Sequence, residues 1–117
     1  MSRIHLALVA GLAALAVAVA PASAATPKLV GTVGPGFTIV LTKGGKKVKS
    51  LKAGKYAIVI HDKSNIHNFH LKGAGLNKST TVSFVGNKTW TVTLKKGTYR
   101  YVCDPHASSM KGSFTVG

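Results

Sequence analysis

Cys103-Asp104-Pro105-His106-Ala107-Ser108-Ser109-Met110 places a thiol, an imidazole and a thioether within eight residues, near the C-terminal end of the chain. All three are donors for a soft or borderline metal. A thiolate and two imidazoles in one trigonal plane, with a weak thioether on the axis, suit copper that cycles between Cu(I) and Cu(II). Cu(I) favours soft, low-coordinate sites and Cu(II) favours nitrogen donors. A compromise held by the protein lets an electron come and go with little ligand movement. The loop supplies one imidazole, and His67, 36 residues upstream of the cysteine, can supply the second.

Tyr101-Val102-Cys103-Asp104-Pro105-His106 followed by Met110 resembles the copper loop of the cupredoxins (type 1 blue copper proteins) of the plastocyanin, amicyanin and pseudoazurin group. Ile66-His67-Asn68 resembles the upstream ligand segment of the same group, in which asparagine follows the histidine. The likeness covers nearly all of residues 28–117. A buried structural cysteine beside a surface histidine is the plainer alternative, but Cys-x-x-His-x-x-x-Met before a terminal strand, with His-Asn upstream, argues against it. The resemblance implies one copper per chain, held by His67, Cys103, His106 and the axial Met110. It also implies that Asn68 hydrogen-bonds across to the Cys103 segment.

Two features depart from that group. Three residues separate His106 from Met110, against four in plastocyanins and pseudoazurins and two in amicyanins. Val102 stands where plastocyanins carry a tyrosine used for remote docking, so the resemblance leaves the His106 edge as the electron route. Pro35, Gly36, Ile66, Pro105 and Ala107 would form the apolar patch around it.

Positioning such ligands takes a small β domain, and the pattern supplies one. Phe37–Thr42, Tyr56–His61, Thr89–Leu94, Thr98–Cys103 and Gly112–Val116 read as strands, joined by Lys28–Thr32, a weak Val48–Lys52, Ile66–Leu71 and Ser79–Phe84. Trp90, Val92 and Leu94 alternate with threonines, which puts Trp90 inside together with Tyr99 and Tyr101. No amphipathic helical window follows residue 24. The expectation is an all-β, cupredoxin-like Greek-key β-sandwich of seven to eight strands.

Residues 1–24 carry the marks of a cleaved signal peptide: Arg3, an apolar run from Leu6 to Ala20, and Ala22-Ser23-Ala24 before the expected start at Ala25. The run of 15 residues is short for a membrane span, which needs about 20. The expected location is therefore outside a bacterial cytoplasm, periplasmic or extracellular, with residues 25–117 as one cupredoxin domain. Cys103 is the only cysteine, so no internal disulfide can staple this domain, and a bound metal is the natural substitute.

Fifteen Lys and Arg against Asp62 and Asp104 leave residues 25–117 with a formal charge of +13. Lysine without interleaved arginine argues against sequence-specific nucleic-acid recognition and suits a redox partner with an acidic docking surface. Two carboxylates offer little for proton handling, and a lone cysteine excludes a binuclear centre. The chain reads as a monomeric carrier of single electrons rather than an enzyme, with no stable membrane span. Copper storage, delivery or resistance is the alternative, and a cationic interaction module with a structural metal is a third. Of the remaining histidines, His61 reads as structural. His70 falls on the polar strand face with Asn68 and Lys72, opposite His67, Phe69 and Leu71, and reads as solvated.

Overall fold

The computed structural model describes residues 25–117, together with Gly11, Ala13 and Ala14; the leader expected over 1–24 otherwise lies outside the described residues. The first sheet holds β1 (Lys28–Val33), β2 (Ile39–Lys43), β3 (Lys46–Lys47), β5 (Gly54–Asp62) and β8 (Gly86–Leu94), in the order β3-β2-β1-β5-β8. The second holds β4 (Ser50–Leu51), β6 (His70–Gly73), β7 (Leu76–Ser79), β9 (Gly97–Val102) and β10 (Lys111–Val116), in the order β4-β10-β9-β6-β7. β1 runs parallel to β5 and β4 parallel to β10, while the other pairings are antiparallel. One 3-10 turn, Asp104–His106, interrupts the chain between β9 and β10.

The sandwich has ten short strands rather than seven or eight, because two tight hairpins add strands to stretches that read as loop. Gly44 and Gly45 have φ of 56° and 78°, and Ala74 and Gly75 have φ of 40° and 81°. Positive φ at both central residues defines the two-residue turn whose twist matches paired strands. It lets Lys46–Lys47 pair with β2 and Leu76–Ser79 with β6. Three further expectations shift. β2 starts at Ile39, so Phe37 lies outside the strand; residues 66–69 are irregular; and 80–85 form a turn, with Phe84 N–H donating to the Thr81 carbonyl. β5 is fully buried on one face and half-buried on the other.

The core sits between the sheets, with Leu29, Leu41, Ile58, Ile60, Leu71 and Leu94 fully buried. Trp90, Tyr99 and Tyr101 face inward as the alternation requires. Aromatic rings stack in pairs within the core. Phe69 stacks on Tyr101 with centroids 5.5 Å apart and planes 13° from parallel, and Tyr99 stacks on Phe114 at 5.2 Å. Glycine makes room for these rings. A Cβ at Gly112 would lie 2.2 Å from the Tyr101 ring, and one at Gly31 would lie 2.9 Å from Phe69.

Two tyrosines fix the far end of the sandwich. Tyr56 donates its hydroxyl to the Lys52 carbonyl at 2.7 Å, and Tyr99 does the same to Lys95 at 2.8 Å. Each bond reaches four residues back across the turn that opens its strand, pinning the turn to a buried ring.

Candidate metal centre

At the opposite end, the segment after β5 and the loop after β9 bring their donors together. His67 Nδ1 lies 3.1 Å from His106 Nδ1, and Cys103 Sγ lies 3.7 Å and 3.5 Å from those two nitrogens. A point equidistant from the three atoms is about 2.0 Å from each, the length of a metal–imidazole bond and slightly under a metal–thiolate bond. Two nitrogens and a sulfur converging in this way have no mutual hydrogen-bond scheme as good as one shared cation. The donor set therefore fits a metal ion, and its softness fits copper.

Local structure explains the convergence. β9 alternates Tyr99 and Tyr101 inward, and Cys103 follows on the same parity with its side chain fully buried. Pro105 sits in the first turn of the 3-10 segment, where a missing N–H costs nothing. His106 N–H donates to the Cys103 carbonyl at 3.0 Å, Met110 N–H to the His106 carbonyl at 2.8 Å, and Cys103 N–H to the Met110 carbonyl at 3.0 Å. This ring of backbone bonds closes the loop on itself and leaves Met110 buried beneath it.

His67 is fully buried, whereas His106 is half-buried and carries the only solvent-facing edge of the three donors. Gly34, at φ of 70°, packs against His67; a Cβ there would stand 3.3 Å from the His67 ring. Phe37, which read as the first residue of a strand, is 62% exposed and lies edge-on to both histidines, at 5.3 Å from His67 and 4.9 Å from His106. Ile66 is 48% exposed beside His67 in the chain. Phe37 is thus an addition to the expected patch. The signal for it was a large apolar residue directly after Gly34-Pro35-Gly36, where the chain is still turning.

Asn68 links the two donor segments. Its amide oxygen accepts from Asp104 N–H at 2.7 Å, and its amide nitrogen donates to the Asp104 carboxylate at 2.7 Å and to the Thr80 carbonyl at 3.2 Å. Asn68 is buried, so strand parity fails at this position while holding for Phe69 and Leu71. His70 is not solvated. Its side chain is 14% exposed, its Nδ1 lies 2.9 Å from the Asp104 carboxylate, and its Nε2 lies 2.6 Å from the Asn77 side-chain oxygen. His61 faces the Asn87 side chain across β8.

The two carboxylates of the domain flank this end and respond oppositely. Burial pushes the Asp62 carboxyl up, only partly offset by the Ser64 N–H and the nearby His67. Burial also acts upward on Asp104, but hydrogen bonds from Asn68 and His70, with the charge of His70 and Lys72, outweigh it and hold the group below the usual carboxylate value.

The family profile described as copper binding proteins, plastocyanin/azurin family, matches residues 37–117. Among solved structures the fold is similar to rusticyanin from Thiobacillus ferrooxidans, at 26% identity and a TM-score of 0.56, over 81% of this chain and 79% of that one. A mutant rusticyanin aligns with a TM-score of 0.60 at 24% identity, over 81% and 80%. A Cu(I) amicyanin mutant aligns with a TM-score of 0.53 at 18% identity, over 78% and 83%. No curated protein matched by sequence.

Proposed function

Since this chain belongs to the plastocyanin/azurin family of copper-binding proteins, we propose that it is an exported carrier of single electrons between redox partners. Copper is the cofactor, and the His67, Cys103 and His106 group matches a single type 1 centre. In our reading the thiolate of Cys103, the Nδ1 atoms of His67 and His106 and the thioether of Met110 would hold the ion. Bound copper would supply the one-electron couple between Cu(I) and Cu(II).

The chain's own residues do the rest. Buried His67 and Cys103 keep water from the donors, so little solvent has to reorganise when charge changes there. The closed backbone ring of the loop, the Asn68–Asp104 link and the Phe69–Tyr101 stack hold the donors in place, which limits ligand movement. The half-exposed edge of His106, with the Phe37 ring against it, is the point where a partner comes close enough for transfer. That patch is apolar and small, which suits a brief encounter rather than a lasting complex. Lys63 and Lys111, adjoining the site loops in the chain, would meet acidic groups at the rim of the partner.

Residues 1–24 would be removed on export to the periplasm or beyond, leaving 25–117 as the working domain. The observation that carries the function is the donor triangle, buried except at one histidine edge. It is tested by adding one equivalent of Cu(II) to the apo-protein, recording visible and paramagnetic resonance spectra, then cycling with reductant and oxidant. An intense colour that bleaches and returns is expected, and Cys103→Ser should abolish it. A colour that persists in that variant, or copper that cannot be cycled, overturns the reading.

A further inference from the structure

The sandwich segregates its charge along its length. Both carboxylates lie at the metal-bearing end, Asp62 closing β5 and Asp104 following β9. At the other end the chain from β2 to β5 places Lys43, Lys46, Lys47, Lys49, Lys52 and Lys55 around one concavity of about 950 Å³. Lys28 opens β1 at that end, and Lys95 and Lys96 occupy the β8–β9 turn beside it. Nine of the fourteen lysines therefore gather at one pole, all of them exposed and with no acidic residue among them.

We propose that this lysine pole docks on the anionic phospholipid surface of a membrane and leaves the metal-bearing end facing away from it. The chemistry at the pole favours lipid over other polyanions. Protein interfaces are built around aromatic and arginine anchors and are poor in lysine. Single-stranded nucleic acid needs exposed aromatic platforms. The pole has neither: its two tyrosines are buried with their hydroxyls on Lys52 and Lys95. The exposed large apolar residues, Phe37, Ile66, Val82 and Val85, all lie in loops at the other end, so nothing at this one would insert into the bilayer. What remains is a set of turns carrying exposed ammonium groups, which can neutralise phosphates without adopting one fixed geometry.

Chain direction points the same way. Pro27, on the rim of the concavity, is where the chain enters the sandwich, so the apolar run at residues 6–20 leads into the lysine pole. The end of the domain nearest the bilayer during export would be the end that carries the lysines. A pole held there leaves the His106 edge free for a partner.

Flotation of the copper-loaded mature domain, residues 25–117, with vesicles tests this. Binding is expected to phosphatidylcholine vesicles containing one third phosphatidylglycerol, and not to phosphatidylcholine alone. Raising salt should release it, since exposed charges are screened within about 10 Å at 0.1 M. Replacing Lys46, Lys47 and Lys49 by Gln should weaken partitioning by roughly two orders of magnitude. Replacing Lys72, Lys78 and Lys88 by Gln removes equal charge elsewhere and should have a much smaller effect. Both triple variants should keep the copper spectrum, which reports an intact fold. Equal losses in the two variants would make binding a matter of net charge and overturn the pole. So would binding to duplex DNA or polyglutamate with none to the anionic vesicles.

Discussion

Asn68 and Asp104 are joined twice, the Asn68 amide oxygen accepting the Asp104 N–H and the Asn68 amide nitrogen donating to the Asp104 carboxylate, each at 2.7 Å. The bonds tie His67 to Cys103 through their immediate neighbours, 36 residues apart, and use none of the donor atoms themselves.

Asn68→Ala should loosen that arrangement. It orphans the part-buried Asp104 N–H and the buried Thr80 carbonyl, at a cost of about 1–3 kcal/mol. Urea denaturation of the apo-protein measures it. A change below about 0.5 kcal/mol, within the range of an ordinary surface substitution, would mean the link is incidental.

His67 and His70 should separate cleanly. His67→Ala is expected to lose or grossly alter the Cu(II) spectrum, because it removes one corner of the donor triangle. His70→Ala should keep the colour and lower apo-protein stability by about 1 kcal/mol or less, the worth of a partly exposed pair with Asp104. The opposite pattern would put His70 in the donor set.

Copper should raise the melting temperature, since the ion clips the residue-67 segment to the Cys103–Met110 loop. At a free concentration a thousandfold above the dissociation constant the gain is about 4 kcal/mol, or a shift of more than roughly 10 °C for a domain this size. Scanning calorimetry of the apo and copper forms decides it, and coincident transitions refute it.

Asp62 and Asp104 should give opposite acid limbs. The folded pKa of Asp62 is raised, so its contribution is present below the unfolded value and is lost as pH rises through the folded one. That of Asp104 is lowered, so its contribution is present above the unfolded value and is lost as pH falls through the folded one. Apo-protein stability followed between about pH 3 and 5 should fall more steeply with acid in Asp62→Asn than in wild type, and less steeply in Asp104→Asn. Parallel curves for the two variants would contradict the environments described.

Phe37→Ala should leave the copper spectrum nearly unchanged, because the ring touches the histidines only at their edges. Electron self-exchange, which needs two such patches to meet, should slow by about tenfold, as expected when an exposed aromatic anchor is removed. An unchanged rate would move the contact surface away from His106.

Much of the centre was legible in the sequence because its information is local. Cys103 and His106 lie in one loop, and the alternation of Tyr99, Tyr101 and Cys103 fixes which way the thiol points whatever lies opposite. Likewise Trp90, Val92 and Leu94 declare their face by parity alone. Strand parity and the resemblance of Ile66-His67-Asn68 both favoured His67 over His70, and the resemblance anticipated the bond of Asn68 to the Cys103 segment, although parity placed Asn68 on the wrong side.

What only the tertiary structure decided depends on register between strands distant in the chain. Pairing of His70 with Val102 sets Asp104 two residues beyond, within reach of both His70 and Asn68, and no spacing in either segment contains that offset. Pairing of Val33 with Ile39 ends β2 short of Phe37 and turns a core-like aromatic out against His67 and His106. Strand pairing brings Lys28, Lys95 and Lys96 to the same end as the local run of six lysines over residues 43–55, which gathers nine at one pole. Side-chain direction is a property of a single strand, fixed by the pleat. Which residues meet is a property of pairs of strands, fixed by turns and packing that join them across the fold.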